Sequence, residues 1–171
     1  MSVERYYFCT LGSPIGDLVL VSNGEALIGL HLESCGADLT RARGATRDDS
    51  LFVSVREQLE AYFHGERTDF DLVIELEGSS FQRRVWQELR QIPFGTTISY
   101  AELARRVGKP SAARAVGGAN GRNPIAIIVP CHRVISADGS LGGYGGGLER
   151  KLWLLDHERF VLARRVPHQQ S

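Results

Sequence analysis

The chain has 171 residues, 43% hydrophobic and 23% charged, which is the balance of an ordinary soluble globular protein able to bury a core in one domain or two. It contains no apolar run of about 18 residues, which excludes a helical membrane span, and the opening MSVERYYFCTLGSP lacks the apolar stretch of a secretory signal. The zero net charge hides a split: residues 1–80 carry 6 Arg/Lys against 14 Asp/Glu, and residues 81–171 carry 14 against 6. Such a split fits a second half that meets a polyanion, and equally two halves that attract each other.

In chain order, YYFCT, GDLVLVS and ALIGLHLE are short β-rich runs separated by GSP and NGE, and they predict a three-stranded meander. The polar stretch RARGATRDDS (41–50) predicts a loop. LFVSVREQLEAYFHGE sets Leu51, Val55, Leu59 and Tyr62 at helical spacing, with Gly65 as the stop, and DLVIELEG predicts one more strand. Together these make an α/β N-terminal domain, residues 1–78.

From Ser79 the pattern turns helical and predicts a second domain, residues 79–171. Ser79 and Gln82 have capping-box spacing ahead of FQRRVWQELRQI, whose buried stripe would be Phe81, Val85, Trp86 and Leu89. Ser99 and Glu102 repeat that spacing for SYAELARRVG, which Gly108 stops, and Ser111 is placed to cap AARAVGGANG. Two short helices joined by GKP have the outline of a helix-turn-helix, and also that of any antiparallel helix pair. Asn123-Pro124 ends the helix, and IAIIV predicts a continuous apolar strand leading into PCHRVI. SADGSLGGYGGG then brings six glycines between 139 and 147, LERKLWLLDHERF predicts an amphipathic helix, and RRVPHQQS has nothing to bury.

Three cysteines (Cys9, Cys35 and Cys131), an odd number with no CxxC pair, fit a reducing cytoplasm better than a disulfide framework or a zinc finger. Cys9 and Cys35 read as small buried hydrophobes. Cys131 differs: a histidine is adjacent, an arginine lies two residues on, and an acid-bearing helix follows. Neighbouring residues diverge, so a direct Cys–His dyad is awkward and a water-bridged relay is easier to build. The helix bearing Ala112, Ala113, Ala115, Gly117, Gly118 and Ala119 is slim enough for close approach, with Arg114 as its one long charged side chain. That suits a helix entering DNA, and it also suits tight helix packing with Arg114 in solvent. The glycine loop matches neither phosphate-binding consensus, so it reads better as a pocket wall carrying one tyrosine.

Tyr100, AARAVGGAN (112–120), NP (123–124), PCHRV (130–134), GYGGG (143–147) and LLDHE (154–158) together resemble the O6-alkylguanine-DNA alkyltransferases, the methylated-DNA–protein-cysteine methyltransferases. The likeness is dense over 79–160 and looser before it, through SPIG (13–16) and the meander. It implies a ribonuclease-H-like α/β domain with a small antiparallel sheet, packed on a mainly helical domain with a winged-helix-like helix-turn-helix. It implies a single-turnover repair protein that takes an alkyl group from O6 of guanine, with O4-alkylthymine as a further substrate left open. Cys131 matches the acceptor, His132 its water-bridged base, Glu158 the acid holding the histidine, and Asn123 the brace of the turn. Tyr100 matches the tyrosine that turns the nucleotide and protonates guanine.

Arg114 matches the finger that fills the gap left by the flipped base. Ala112, Ala113, Gly117, Gly118, Ala119 and Asn120 share its DNA-binding helix. Tyr144, Gly145, Val134 and Lys151 match the base pocket. Relatives with an N-terminal zinc have ligands where this chain has Asn23 and Ile28, so no metal is expected, nor any cofactor. Gly145 and Ala126 replace serine and proline of some relatives, which bears on adduct size. The expected partner is duplex DNA containing alkylated guanine. The expected setting is the cytoplasm, at the nucleoid in a bacterium, with a monomer in solution, cooperative binding along DNA left open, and no membrane.

Overall fold

The computed structural model describes residues 3–32 and 44–165. Strands β1 (Tyr7–Leu11), β2 (Leu18–Ser22) and β3 (Leu27–Leu32) form the predicted antiparallel meander. Its register aligns Cys9 with Leu20 and Leu30, and Leu11 with Leu18 and Leu32. Because alternate residues share a face, these two rows make one continuous apolar surface, all of it buried. The opposite face carries a smaller cluster of Val19, Val21 and Ile28 against Tyr6.

The sheet is mixed, not purely antiparallel: a two-residue β4 (Thr46–Arg47) lies parallel to β1, giving the order β3-β2-β1-β4. This corrects the loop expected over 41–50; two polar, exposed residues show no alternation by which a strand is recognised. A 3-10 turn (Asp49–Phe52) capped by Asp48 precedes helix α1 (Val53–Phe63), so Phe52 is buried in place of Leu51. The strand predicted in DLVIELEG is also corrected. It reduces to one parallel bridge, Leu27 to Ile74, since its remaining residues make no ladder. Cys35 lies outside the described residues.

In the second half, α2 (Ser80–Leu89) carries the full Ser79–Gln82 capping box and buries Val85, Trp86 and Leu89, with Phe81 half-buried. Helix α3 (Tyr100–Arg106) is capped by Ser99, but Glu102 turns its carboxylate to Arg105 and Arg106, so that box is half made. Gly108, at φ 78°, ends α3 in a left-handed turn that a side chain would strain. Helix α4 (Ala113–Gly121) follows without the expected Ser111 cap; its N-cap is Ala112, which has no side-chain oxygen. Trp86 Nε1 donates to the Ala119 carbonyl at 2.8 Å and ties α2 to α4. Short β5 (Ile98–Ser99) and β6 (Val134–Ile135) pair in parallel, and α5 (Leu148–Arg165) closes the fold.

The halves are joined around the segment before Cys131. Leu30 of β3 exchanges backbone hydrogen bonds with that segment, donating to Pro124 and accepting from Ala126. Arg150 of α5 donates to the Ile15 carbonyl, and Arg165 to that of Gly65.

Candidate active site

The run IAIIV does not continue as a strand. After the single bridge at Ile125 it folds into tight turns, and Ile127 takes φ 71°, the sole non-glycine residue with positive φ among those described. Ile128 N–H donates to the Ala126 carbonyl at 2.8 Å, so Ile127 is the centre of a three-residue γ-turn. A second, Cys131 N–H to Val129 carbonyl at 2.8 Å, is centred on Pro130 at φ −83°, ψ 66°. A β-branched residue in the left-handed region costs of order 1–3 kcal/mol and persists where its surroundings over-determine it. Here the Ile127 side chain is buried, and Asn123 clamps the turn from both ends. Its Nδ2 donates to the Val129 carbonyl at 2.7 Å, and its Oδ1 accepts from Ile125 N–H at 3.0 Å. Periodicity cannot register this, because an apolar turn and an apolar strand read alike.

The turns deliver Cys131, His132 and Arg133 as one turn of 3-10 helix, all three buried. Glu158, on α5 and fully buried, receives five hydrogen bonds. Oε2 accepts from His132 Nε2 at 2.7 Å, Tyr62 Oη at 2.7 Å and Arg133 Nη2 at 3.0 Å. Oε1 accepts from Arg133 Nε at 2.8 Å and Gly95 N–H at 3.0 Å. Burial by itself would raise the Glu158 carboxyl, but His132 and Arg133 outweigh it and hold the group far below the usual carboxylate range. An ionised carboxylate only accepts, so Nε2 of His132 carries the proton and Nδ1 is left with its lone pair. Burial lowers the His132 pKa and keeps the ring neutral, although Glu158 pulls the other way. Nδ1 is buried and has no hydrogen-bond partner among the described residues.

Burial raises the Cys131 thiol, while hydrogen bonding from Asn123 and the charge of Lys151 draw it back in part. Cys131 lies in the wall of a cavity of about 460 Å³, with Tyr100, Gly117, Asn120, Asn123, Tyr144 and Gly145. Leu30, His31 and Leu32 bring β3 of the N-terminal half to the same cavity. The Tyr100 ring packs between Gly117 and Gly142, and burial together with Cys131 raises its phenol pKa, so it stays protonated. A hollow of this size, largely apolar with a few convergent polar groups, falls in the range of small-molecule sites.

Two of the four residues expected at the pocket stand behind it. Val134 is fully buried and lies outside the lining. Lys151 is buried as well; its Nζ donates to the carbonyls of Val134 at 2.6 Å, Leu141, and Gly143 at 3.2 Å, pinning the glycine loop to β6. Of the residues expected to face DNA, Arg114 and Gly118 are exposed, and Ala112, Ala113 and Gly117 are half-buried. Ala119 and Asn120 turn inward instead, Ala119 against Trp86 and Asn120 beneath the cysteine, its Nδ2 3.4 Å from the Cys131 carbonyl. Sequence reasoning missed Tyr62, Gly95 and Arg133 as partners of Glu158. Tyr62 passed for an ordinary member of an apolar stripe, and Arg133 was the clue available, a long charged side chain inside an apolar run.

Two family models together span most of the chain: the ribonuclease-like domain of 6-O-methylguanine DNA methyltransferase over residues 6–76, and its DNA binding domain over residues 80–160. A methylated-DNA–protein-cysteine methyltransferase of Mycolicibacterium paratuberculosis is 53% identical over 150 residues, covering 88% of this chain and 90% of the relative. One from Methanosarcina acetivorans is 44% identical over 152 residues, covering 89% and 97%. Among solved structures, Mycobacterium tuberculosis O6-methylguanine methyltransferase superposes with a TM-score of 0.86 at 49% identity, covering 91% of this chain and 94% of that one. The same organism's OGT in complex with DNA gives 0.84 at 49% identity, covering 92% and 94%. Matched from one half to the other at this level of identity, with Cys131 in a DNA-methyltransferase framework, the chain belongs to the methylated-DNA–protein-cysteine methyltransferase family.

Proposed function

We propose that this protein repairs DNA by moving the alkyl group of O6-alkylguanine onto its own Cys131, once per molecule. The observation that carries this reading is the buried Cys131 in the cavity wall beside a neutral His132, which is locked by Glu158 with its Nδ1 lone pair free. A water between Cys131 and Nδ1 would pass the thiol proton to His132 as sulfur attacks the alkyl carbon. The carbon–oxygen bond breaks, its electron pair stays on guanine, a carbon–sulfur bond forms, and the Tyr100 phenol supplies a proton to the departing base. Asn123 holds the turn that aims the thiol, and Glu158 orients His132.

A base inside the duplex must be extruded to reach this cavity, at a cost of a few kcal/mol. Arg114, exposed on the first turn of α4, would occupy the vacated stack, with Ala112, Ala113, Gly117 and Gly118 against the minor groove. Tyr144 and Gly145 would hold the base, while Lys151 and Val134 shape the loop behind it. The domain split at Ser79, the positive second half, a monomer in solution and a cytoplasmic setting belong to the same reading. The thioether product is a poor leaving group, so the protein is consumed.

The test is incubation with duplex DNA containing O6-methylguanine, followed by intact and peptide mass analysis. One methyl group per protein, on the peptide holding Cys131, is expected. Lesion left intact beside a free thiol would overturn the proposal and favour a lesion-binding or regulatory protein.

A further inference from the structure

The relay of Cys131, His132 and Glu158 does not by itself require a phenol from the other half of the molecule, yet one is present. Tyr62 lies on α1, fully buried among Phe63, Phe70 and Phe94, a setting that phenylalanine would fill equally well. Its hydroxyl instead donates to Glu158 Oε2 at 2.7 Å, the oxygen that receives His132 Nε2 at the same distance. Its carbonyl accepts from His157 Nε2 at 2.8 Å, one residue before Glu158 on α5, and the His157 ring stacks on Trp153 at 4.8 Å. Tyr62 thus grips α5 at two adjacent residues, by its side chain and by its main chain.

We infer that Tyr62 is a positioning residue for the relay: its hydroxyl, supplied by the N-terminal half, fixes the Glu158 carboxylate and weakens it as a base, so that His132 keeps its proton on Nε2 and presents a bare Nδ1 to the cysteine side. The inference rests on the alkyl-transfer reading for the step it serves. A donor to a carboxylate spreads its charge, and a weaker carboxylate favours imidazolium less. Tyr62 is also well suited to remain a donor: burial and the neighbouring carboxylate both raise its phenol well above the usual range.

The charged and titratable groups around this centre come from every element packed on it. They are Tyr62 from α1, Cys131 and Arg133 from the 3-10 turn, Lys151, His157 and Glu158 from α5, and Tyr144 from the glycine loop. Of these, Arg133 and Lys151 already disfavour a charged His132, and Glu158 favours one. Removing the Tyr62 hydroxyl concentrates charge on Oε2, so His132 becomes more basic and is lost as a neutral base at a higher pH.

The experiment compares wild type with Tyr62→Phe. In the variant the acid limb of the transfer rate on O6-methylguanine duplex should move upward by about 0.5–1 pH unit, with DNA affinity unchanged. Site-specific 3-fluorotyrosine at position 62, a stronger donor of nearly the same shape, should move it downward. Nuclear magnetic resonance titration of the His132 ring in the unreacted protein reads the same shifts without any transfer. A folded Tyr62→Phe whose rate limb and His132 titration both match wild type overturns the inference. Wild type that never accepts a methyl group overturns the functional proposal instead, and the ring titration then still decides the role of Tyr62.

Discussion

At Cys131 two opposing effects meet. Burial holds the thiol protonated, while Asn123 and Lys151 draw it part of the way toward thiolate. The net direction is upward, so the resting residue is a poor general nucleophile, and under the proposed function it relies on His132 at the moment of reaction. That separates a group kept for one bound substrate from a cysteine exposed to any electrophile. At pH 7, iodoacetamide should therefore label Cys131 more slowly than it labels cysteine in an unstructured peptide of the same local sequence, as followed by peptide mass. Faster labelling than the peptide would show that the resting thiol is already ionised. Lys151 follows the same physics from the other side: burial lowers its pKa, and three carbonyls compensate the buried ammonium.

At the scale of elements, α4 carries glycines that packing among the described residues does not demand. A Cβ added at Gly117 would meet the Tyr100 ring at an ordinary contact distance of 3.7 Å, and one at Gly118 would meet nothing within 4 Å. Glycine in a helix costs about 0.5–1 kcal/mol relative to alanine. The smallness of Gly118 thus has no packing reason among the described residues, and under the proposed function its reason is the DNA that α4 approaches. Gly118→Ala should raise stability by about 0.5–1 kcal/mol in urea unfolding while weakening duplex binding measured by fluorescence anisotropy. Unchanged DNA affinity would remove α4 at this position from the interface. The turn 125–130 is the complementary case, in which strain at Ile127 is held by the Asn123 clamp. Asn123→Ala should cost about 1–3 kcal/mol of stability, because the Val129 carbonyl and the Ile125 N–H lose their partners. An unfolding midpoint equal to that of wild type would show that the turn holds without the clamp.

For the whole molecule, the buried centre around Glu158 links folding to pH. Glu158 has its pKa depressed by His132 and Arg133, and His132 has its pKa lowered by burial, so the unfolded chain binds protons at both sites more readily than the folded one. Their contribution is present in full above the unfolded histidine pKa of about 6.5 and is lost as pH falls, first through His132 and then, below about 4.3, through Glu158. Urea midpoints should be steady near neutrality and decline progressively below about pH 6.5. A midpoint constant from pH 7 down to 4 would contradict the folded-state charges assigned here. Because Tyr62 and His157 join α1 to α5 at this same centre, acid should loosen the contact between the halves together with the site.

The sequence by itself determined the meander, the α2 capping box, the stop at Gly108 and the residues set around Cys131, because each depends on local periodicity, capping or spacing. The resemblance to the alkyltransferase family was legible in the same way, since PCHRV, NP and LLDHE are short runs of adjacent residues. Tertiary structure alone decided that IAIIV is a strained turn, that β4 joins the sheet, that Asn120 and Lys151 turn inward, and that Tyr62 reaches Glu158 from 96 residues away. These are contacts between distant segments, in which a buried polar atom must find whichever partner the fold brings near. No local pattern names that partner.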